Sequence, residues 1–78
     1  MHAAPLTSPR LRRVLQVLSD GQTLTTLDIV RRAEVLAVSA CVSELRVHGA
    51  VIECVRQAAP SGVGTCFYYT MTKAPDLK

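Results

Sequence analysis

The sequence predicts a small α+β domain made of three helices and a C-terminal β-hairpin, with a very short strand between the first two helices. Apolar residues recur at helical spacing up to Gly49, and a run rich in β-branched residues follows it. With 78 residues the chain has room for a single core. Because it contains one Phe, two Tyr and no Trp, we expect that core to be aliphatic.

The first helix is predicted to begin at Pro9 and to end at Gly21. Ser8 is a favoured N-cap residue, proline fits the first helical position, and glycine accepts the left-handed backbone that closes a helix. Residues 22–24 are too few for an independent element, so we expect a very short strand that pairs with the later hairpin. The apolar stripe of this helix comprises Leu11, Val14, Leu15 and Leu18.

The second and third helices are predicted to be short and to be joined by a tight turn at residues 34–36. Thr25 followed by Asp28 matches a capping box, with aspartate in place of the usual glutamate, and this helix is expected to end near Ala33. The third helix is predicted over about 37–48, just before a glycine. Its inner stripe comprises Val38, Val42 and Leu45, with Cys41 at the edge.

The last third of the chain predicts the hairpin, with strands at 51–56 and 65–71 and a loop at 58–64. Alternation along the second strand predicts that Phe67, Tyr69 and Met71 point inward. Tyr68 then points outward, either packing on the next strand or stacking on a base. We interpret residues 1–8 as a flexible leader, 9–72 as the domain and 73–78 as a tail.

Charge and composition exclude several classes of protein. The net charge of +3 and the pI near 9.1 are compatible with a nucleic-acid partner. Apolar stretches are far shorter than the roughly 20 residues that span a bilayer, and residues 1–8 contain no secretory signal, so we expect a cytoplasmic protein without a membrane partner. Catalytic motifs and acid–base constellations are absent from the sequence, which predicts that the chain is not an enzyme and has no cofactor.

The three cysteines do not have the spacing of a disulfide framework or a zinc site. Cys54 and Cys66 lie at equal distances from Pro60 along the chain. They are therefore expected to be able to face each other across the hairpin, with reduced thiols favoured over a disulfide.

Several short segments carry a family resemblance. Leu24-Thr25-Thr26-Leu27 opens the second helix, Val42-Ser43-Glu44-Leu45-Arg46 lies in the third, and Gly49 and Ile52 lead into the hairpin. These segments resemble small winged helix-turn-helix proteins of bacteriophages and prophages over about 9–72. The resemblance implies a phage DNA-binding protein that regulates transcription or shapes DNA, with its third helix in the major groove and its hairpin as the wing.

Residues on the predicted DNA-binding face follow from this resemblance. Glu44 lies on that face and would repel phosphates, and the centre of the face lacks the Arg, Lys, Asn and Gln side chains that read bases strongly. Affinity for DNA is therefore expected to depend on phosphate contacts. Arg31 and Arg32 could make these contacts, or they could equally be solvated beside Asp28 and Glu34. The implied nucleic-acid-binding residues are Arg31, Arg32, Ser39, Ala40, Ser43, Arg46, Val47 and Arg56.

The partner itself has two interpretations. Double-stranded DNA is the first, and because a single module buries only about 600–1,000 Å² on DNA, a homodimer is expected to be needed for useful specificity. The second is a protein partner or self-association, because Ala40, Ser43 and Val47 form a weakly polar face that suits packing. A phage inhibitor of a host enzyme or defence complex is one form of this alternative, since winged helices bind DNA, RNA or proteins.

Overall fold

In the computed structural model, which describes residues 8–76, the chain forms three helices and a three-stranded antiparallel sheet. The predicted α+β class and the short strand after the first helix are confirmed. The predicted leader lies outside the described residues except for Ser8. In chain order the elements are α1 Pro9–Leu18, β1 Leu24–Thr25, α2 Thr26–Ala33, α3 Val38–Val47, β2 Val51–Ala58 and β3 Thr65–Lys73.

The N-caps of α1 and α2 differ in how they are made. The Thr25 hydroxyl accepts a hydrogen bond from the Asp28 N–H at 3.1 Å, and the Asp28 carboxylate accepts one from the Thr25 N–H at 3.1 Å. The capping box predicted for α2 is therefore complete, and aspartate reaches far enough to close it. Ser8 occupies the N-cap position of α1, but its side chain makes no capping bond, so Pro9 carries the start signal there.

The turn between α2 and α3 is held by a side chain of α1 and by a buried residue of the turn itself. Glu34 ends α2 in the left-handed conformation, with φ 55° and ψ 44°. The Arg13 guanidinium of α1 donates to the Ala33 carbonyl at 2.7 Å, which satisfies one of the acceptors left open at the end of a helix. Val35 is buried beneath the turn, so the loop is fixed to the core.

The core is aliphatic, as the composition predicts, and lies between the helices and one face of the sheet. Cys41 is 0% exposed, so it lies inside the stripe of α3 rather than at its edge. Leu15 is only partly buried and packs against the rim of the core. The side chains with no exposed surface are Leu11, Val14, Leu18, Ile29, Ala33, Cys41 and Leu45.

The central strand of the sheet is β3, because the strand order is β1-β3-β2. Ile52 pairs with Met71 and Cys54 with Tyr69, and side chains of these pairs share the face that covers the core. Tyr69 and Met71 are buried, and Phe67 points to the same face as predicted but keeps 46% of its surface exposed. At the level of Phe67 a groove lies between the inner face of the hairpin and α3, so the ring is not fully covered.

The register of the hairpin also separates the two cysteines that were expected to be able to face each other. Cys54 pairs with Tyr69, and Cys66 pairs with Gln57. The expectation is wrong because Ala58 pairs with Thr65, which centres the loop between residues 61 and 62 rather than at Pro60. All three cysteines are free thiols.

Residues after β3 fold back onto the end of α3. Strand β3 continues to Lys73, one residue beyond the domain boundary predicted at 72. The Asp76 N–H donates to the His48 carbonyl at 2.7 Å, and Pro75 is buried. Gly49 has φ +100°, a backbone conformation that favours glycine, and a Cβ atom there would also lie 2.6 Å from the Asp76 carboxylate oxygen.

Candidate nucleic-acid interface

The outer face of α3 carries small side chains beside Glu44. Ser39, Ala40, Ser43 and Val47 are all exposed, because the buried stripe of α3 occupies the opposite side of the helix. Hydroxyl groups at two of these positions can both donate and accept hydrogen bonds. The face therefore offers adaptable polar contacts and a small, flat surface.

The acidic residue on this helix is neutralised within the molecule. The Glu44 carboxylate lies 3.1 Å from the Arg10 guanidinium, and both of its oxygens accept hydrogen bonds from that group. Repulsion of phosphates by Glu44, expected from the sequence, is thereby reduced, and Arg10 is committed to a structural role. The same guanidinium contacts the Cys41 sulfur at 3.6 Å; burial raises the pKa of this thiol, and the nearby Arg10 charge partly offsets the rise.

Arg46, which the family resemblance assigned to DNA, has a partner of its own. Its guanidinium donates a hydrogen bond to the Ile52 carbonyl of β2. The side chain thus ties the end of α3 to the start of the hairpin and lines the space between these two elements. Arg46 contributes charge at a fixed position rather than a mobile cation.

A groove of about 230 Å³ separates α3 from the inner face of the hairpin. Its walls bring together Ser39, Ser43 and Arg46 from α3 with Cys54 and Phe67 from the hairpin. Tyr69 forms part of its floor; burial raises the pKa of this phenol, and the neighbouring Cys54 thiol adds to the rise. Ser39, Ser43 and Arg46, three of the predicted site residues, therefore share one concave surface with the ring of Phe67. The sequence predicts that this ring points into the core.

The remaining arginines of the predicted site have side chains exposed to solvent. Within residues 8–76, no hydrogen bond or ion pair engages the guanidinium groups of Arg31, Arg32 or Arg56. Asp28, one of the acids expected to lie beside Arg31 and Arg32, is occupied by the capping box. These cations are therefore available to an external anion.

Arg31 also lies close to the hairpin loop. Together with Leu27 of α2 it lines a cavity of about 350 Å³ whose opposite wall includes Pro60 and Ser61. Arg56 lies further along the hairpin, on the inner face that Phe67 shares. The free positive charges are thus distributed on α2 and on the hairpin, the two elements on either side of α3 in the chain.

Large aliphatic side chains are exposed at both ends of α3. Leu36, just before the helix, is 90% exposed, and Val47, its last residue, is 72% exposed. Ala40, Ser43 and Val47 recur at helical spacing and share one face. Glu44 lies on the same face, but its carboxylate is paired with Arg10, which favours packing as well as nucleic-acid contact.

No protein-family model matches the chain, and comparisons with curated proteins and with solved structures return no significant match. None of the helices described in residues 8–76 has the length and apolar character needed to cross a membrane. The same residues contain no cluster of three His, Cys, Asp or Glu side chains that could hold a metal ion. A function can therefore be inferred only from the geometry of α2, α3 and the hairpin.

Proposed function

We propose that this chain is a small DNA-binding regulator of the winged helix-turn-helix type, with double-stranded DNA as its partner. In this proposal α3 enters the major groove and the hairpin acts as the wing. The observation that carries it is the electrostatic arrangement around α3. Its acid Glu44 is paired with Arg10, while Arg31, Arg32 and Arg56 on the adjacent elements have no partner among the described residues.

The order of the elements supports the same proposal. The chain runs through a helix, a short strand, two helices and a hairpin, and the last strand of the hairpin pairs with the short strand. This order brings α3 and the hairpin together on one surface. The α3 face carries serine hydroxyls and small apolar groups, which read bases weakly. Affinity consequently comes from phosphate contacts, and the protein acts as a transcriptional or architectural regulator whose specificity requires two copies or tandem sites.

The first test is a salt titration of binding to a random 30-base-pair duplex. If about four phosphates are neutralised, log Kd changes with log salt with a slope near 3.6 in magnitude. The double variant Arg31→Ala/Arg32→Ala is expected to bind more weakly to every sequence and to lower that slope by about 1.8. Fluorescence anisotropy at several salt concentrations gives both values.

A matched control removes two cations from other elements. Arg12 of α1 and Lys73 of β3 are exposed and, like the test pair, are unpaired within the described part of the chain. The variant Arg12→Ala/Lys73→Ala changes the net charge by the same amount as Arg31→Ala/Arg32→Ala. A difference in DNA affinity between the two variants therefore reports the positions of the removed cations rather than the loss of charge. Equal losses in the two double variants would contradict the assignment of Arg31 and Arg32 as phosphate contacts.

A protein-binding module is the second candidate, and the exposed aliphatic ends of α3 favour it. Val47, at 72% exposure, would be buried in a protein interface but would lie beside the DNA in a phosphate-driven complex. Val47→Glu is therefore expected to abolish self-association, measured by sedimentation, if α3 packs on a second copy. Anisotropy on the same variant shows only a modest change if DNA is the partner.

A further inference from the structure

Phe67 is an aromatic residue on the core-facing side of the sheet, but the core does not cover its side chain. It lies on the same face as Tyr69 and Met71, which are buried, yet it keeps 46% of its surface exposed. Burying an aromatic ring is favourable, so the part of Phe67 left in contact with water is apolar surface that a ligand can cover. About half of the ring surface is therefore accessible to a ligand that enters the groove.

The surroundings of this ring define the chemistry of that ligand. Arg56 is directly opposite Phe67 in the β2–β3 register, is exposed, and has no partner within residues 8–76. Ser39 and Ser43 of α3 line the groove that Phe67 also lines. The ring and the serine hydroxyl groups share one concave surface, and Arg56 lies beside the ring on the neighbouring strand. Together they match the three parts of a nucleotide: base, polar base edge and phosphate.

The size of the groove restricts the number of bases that it admits. Its volume is about 230 Å³, whereas pockets that enclose drug-sized ligands measure roughly 300–1,000 Å³. A groove of this size suits one ring system. In a fully paired duplex each base is stacked between its neighbours, so a base reaches such a ring only when it leaves the stack.

We propose that the groove between α3 and the hairpin holds one unstacked nucleobase against Phe67, while Arg56 contacts a neighbouring phosphate. This inference rests on the proposed DNA-binding function and refines its substrate class. The protein then prefers DNA that contains an unpaired base over the same duplex fully paired. Stacking of one base on an aromatic side chain predicts a preference of about tenfold in affinity.

The experiment compares a 20-base-pair duplex with the same duplex carrying one extra unpaired thymine, using fluorescence anisotropy. Wild-type protein is expected to bind the bulged duplex about tenfold more tightly. Phe67→Ala is expected to remove this preference, whereas Phe67→Tyr keeps it. The matched control is Val55→Ala, because Val55 is 45% exposed on the opposite face of the same hairpin, and it leaves the preference unchanged.

The outcomes separate this inference from the function on which it rests. Paired-duplex binding without any preference for the bulge, or a preference that survives in Phe67→Ala, overturns the inference and leaves DNA binding intact. Failure of the wild type to bind either duplex at low salt overturns both. Sedimentation of wild type and Phe67→Ala completes the test, because a dimer lost in the variant assigns the groove to a second copy of the chain and overturns the nucleobase assignment.

Discussion

Leu45 and Val47 are two residues apart on α3, and the structure gives them opposite environments. Leu45 has no exposed surface, whereas Val47 is 72% exposed. Leu45→Ala is expected to lower the free energy of unfolding by about 2–5 kcal/mol, because it leaves a cavity in a small core. Val47→Ala is the control and should change it by less than about 0.5 kcal/mol. Urea denaturation measures both, and similar values for the two variants would contradict the phase of α3.

The arginines show how much of the candidate site could be predicted from the sequence. Arg31 and Arg32 were recognised as exposed cations, and the structure leaves them without partners among the described residues. The structural roles of Arg10 and Arg13 could not be predicted, because their partners lie 34 and 20 residues away and are reached only through packing of α1 on the other helices. Local pattern identifies a cation, but tertiary contacts decide whether it is free.

The two N-caps provide a prediction for individual helices. Thr25→Ala removes a capping bond and leaves the Asp28 N–H without its acceptor, so it should reduce stability by about 1 kcal/mol. Ser8→Ala removes a hydroxyl that makes no such bond at the start of α1, and its effect should be a few tenths of a kcal/mol at most. Thermal unfolding of the two variants at equal concentration compares them directly, and a larger loss for Ser8→Ala would be inconsistent with these caps.

Helix boundaries were predictable because caps and glycines act locally, and α1, α2 and α3 begin and end close to the expected residues. The hairpin was less predictable. Alternation correctly placed Tyr69 and Met71 inside and Phe67 on the same face, but it cannot indicate how much of each side chain the neighbouring elements cover. The cysteine register failed for a related reason, since it depends on the shape of the loop rather than on strand composition.

The folded molecule as a whole is expected to lose stability in alkaline solution. Burial raises the pKa of Cys41 above its ordinary value of 9.0 and that of Tyr69 above 10.0. Below pH 9 both groups are protonated in the folded and unfolded chains, so their contribution is complete. As the pH rises further, the unfolded chain releases these protons first, and stability falls until the folded pKa values are passed.

Melting temperatures between pH 7 and pH 10.5 test this expectation, with Cys41→Ala as the comparison. The variant is less stable at pH 7 because it leaves a cavity in the core. Its melting temperature should nevertheless fall less than that of the wild type between pH 9 and pH 10.5. Arg10 and Glu44 stay paired beside the site in both proteins, so their charges cancel from the difference. Parallel pH curves for wild type and variant would show that the Cys41 thiol does not contribute.

The position of β3 at the centre of the sheet has a consequence for synthesis on the ribosome. Strands β1 and β2 are synthesised before β3 and do not pair with each other. Each of them pairs only with β3, which is translated later. During that interval the nascent chain has helices and the apolar inner side of β2 without a sheet to complete the core. Folding therefore follows translation of β3 rather than accompanying that of α1 to α3, and a chain interrupted before Thr65 has no partner for either earlier strand.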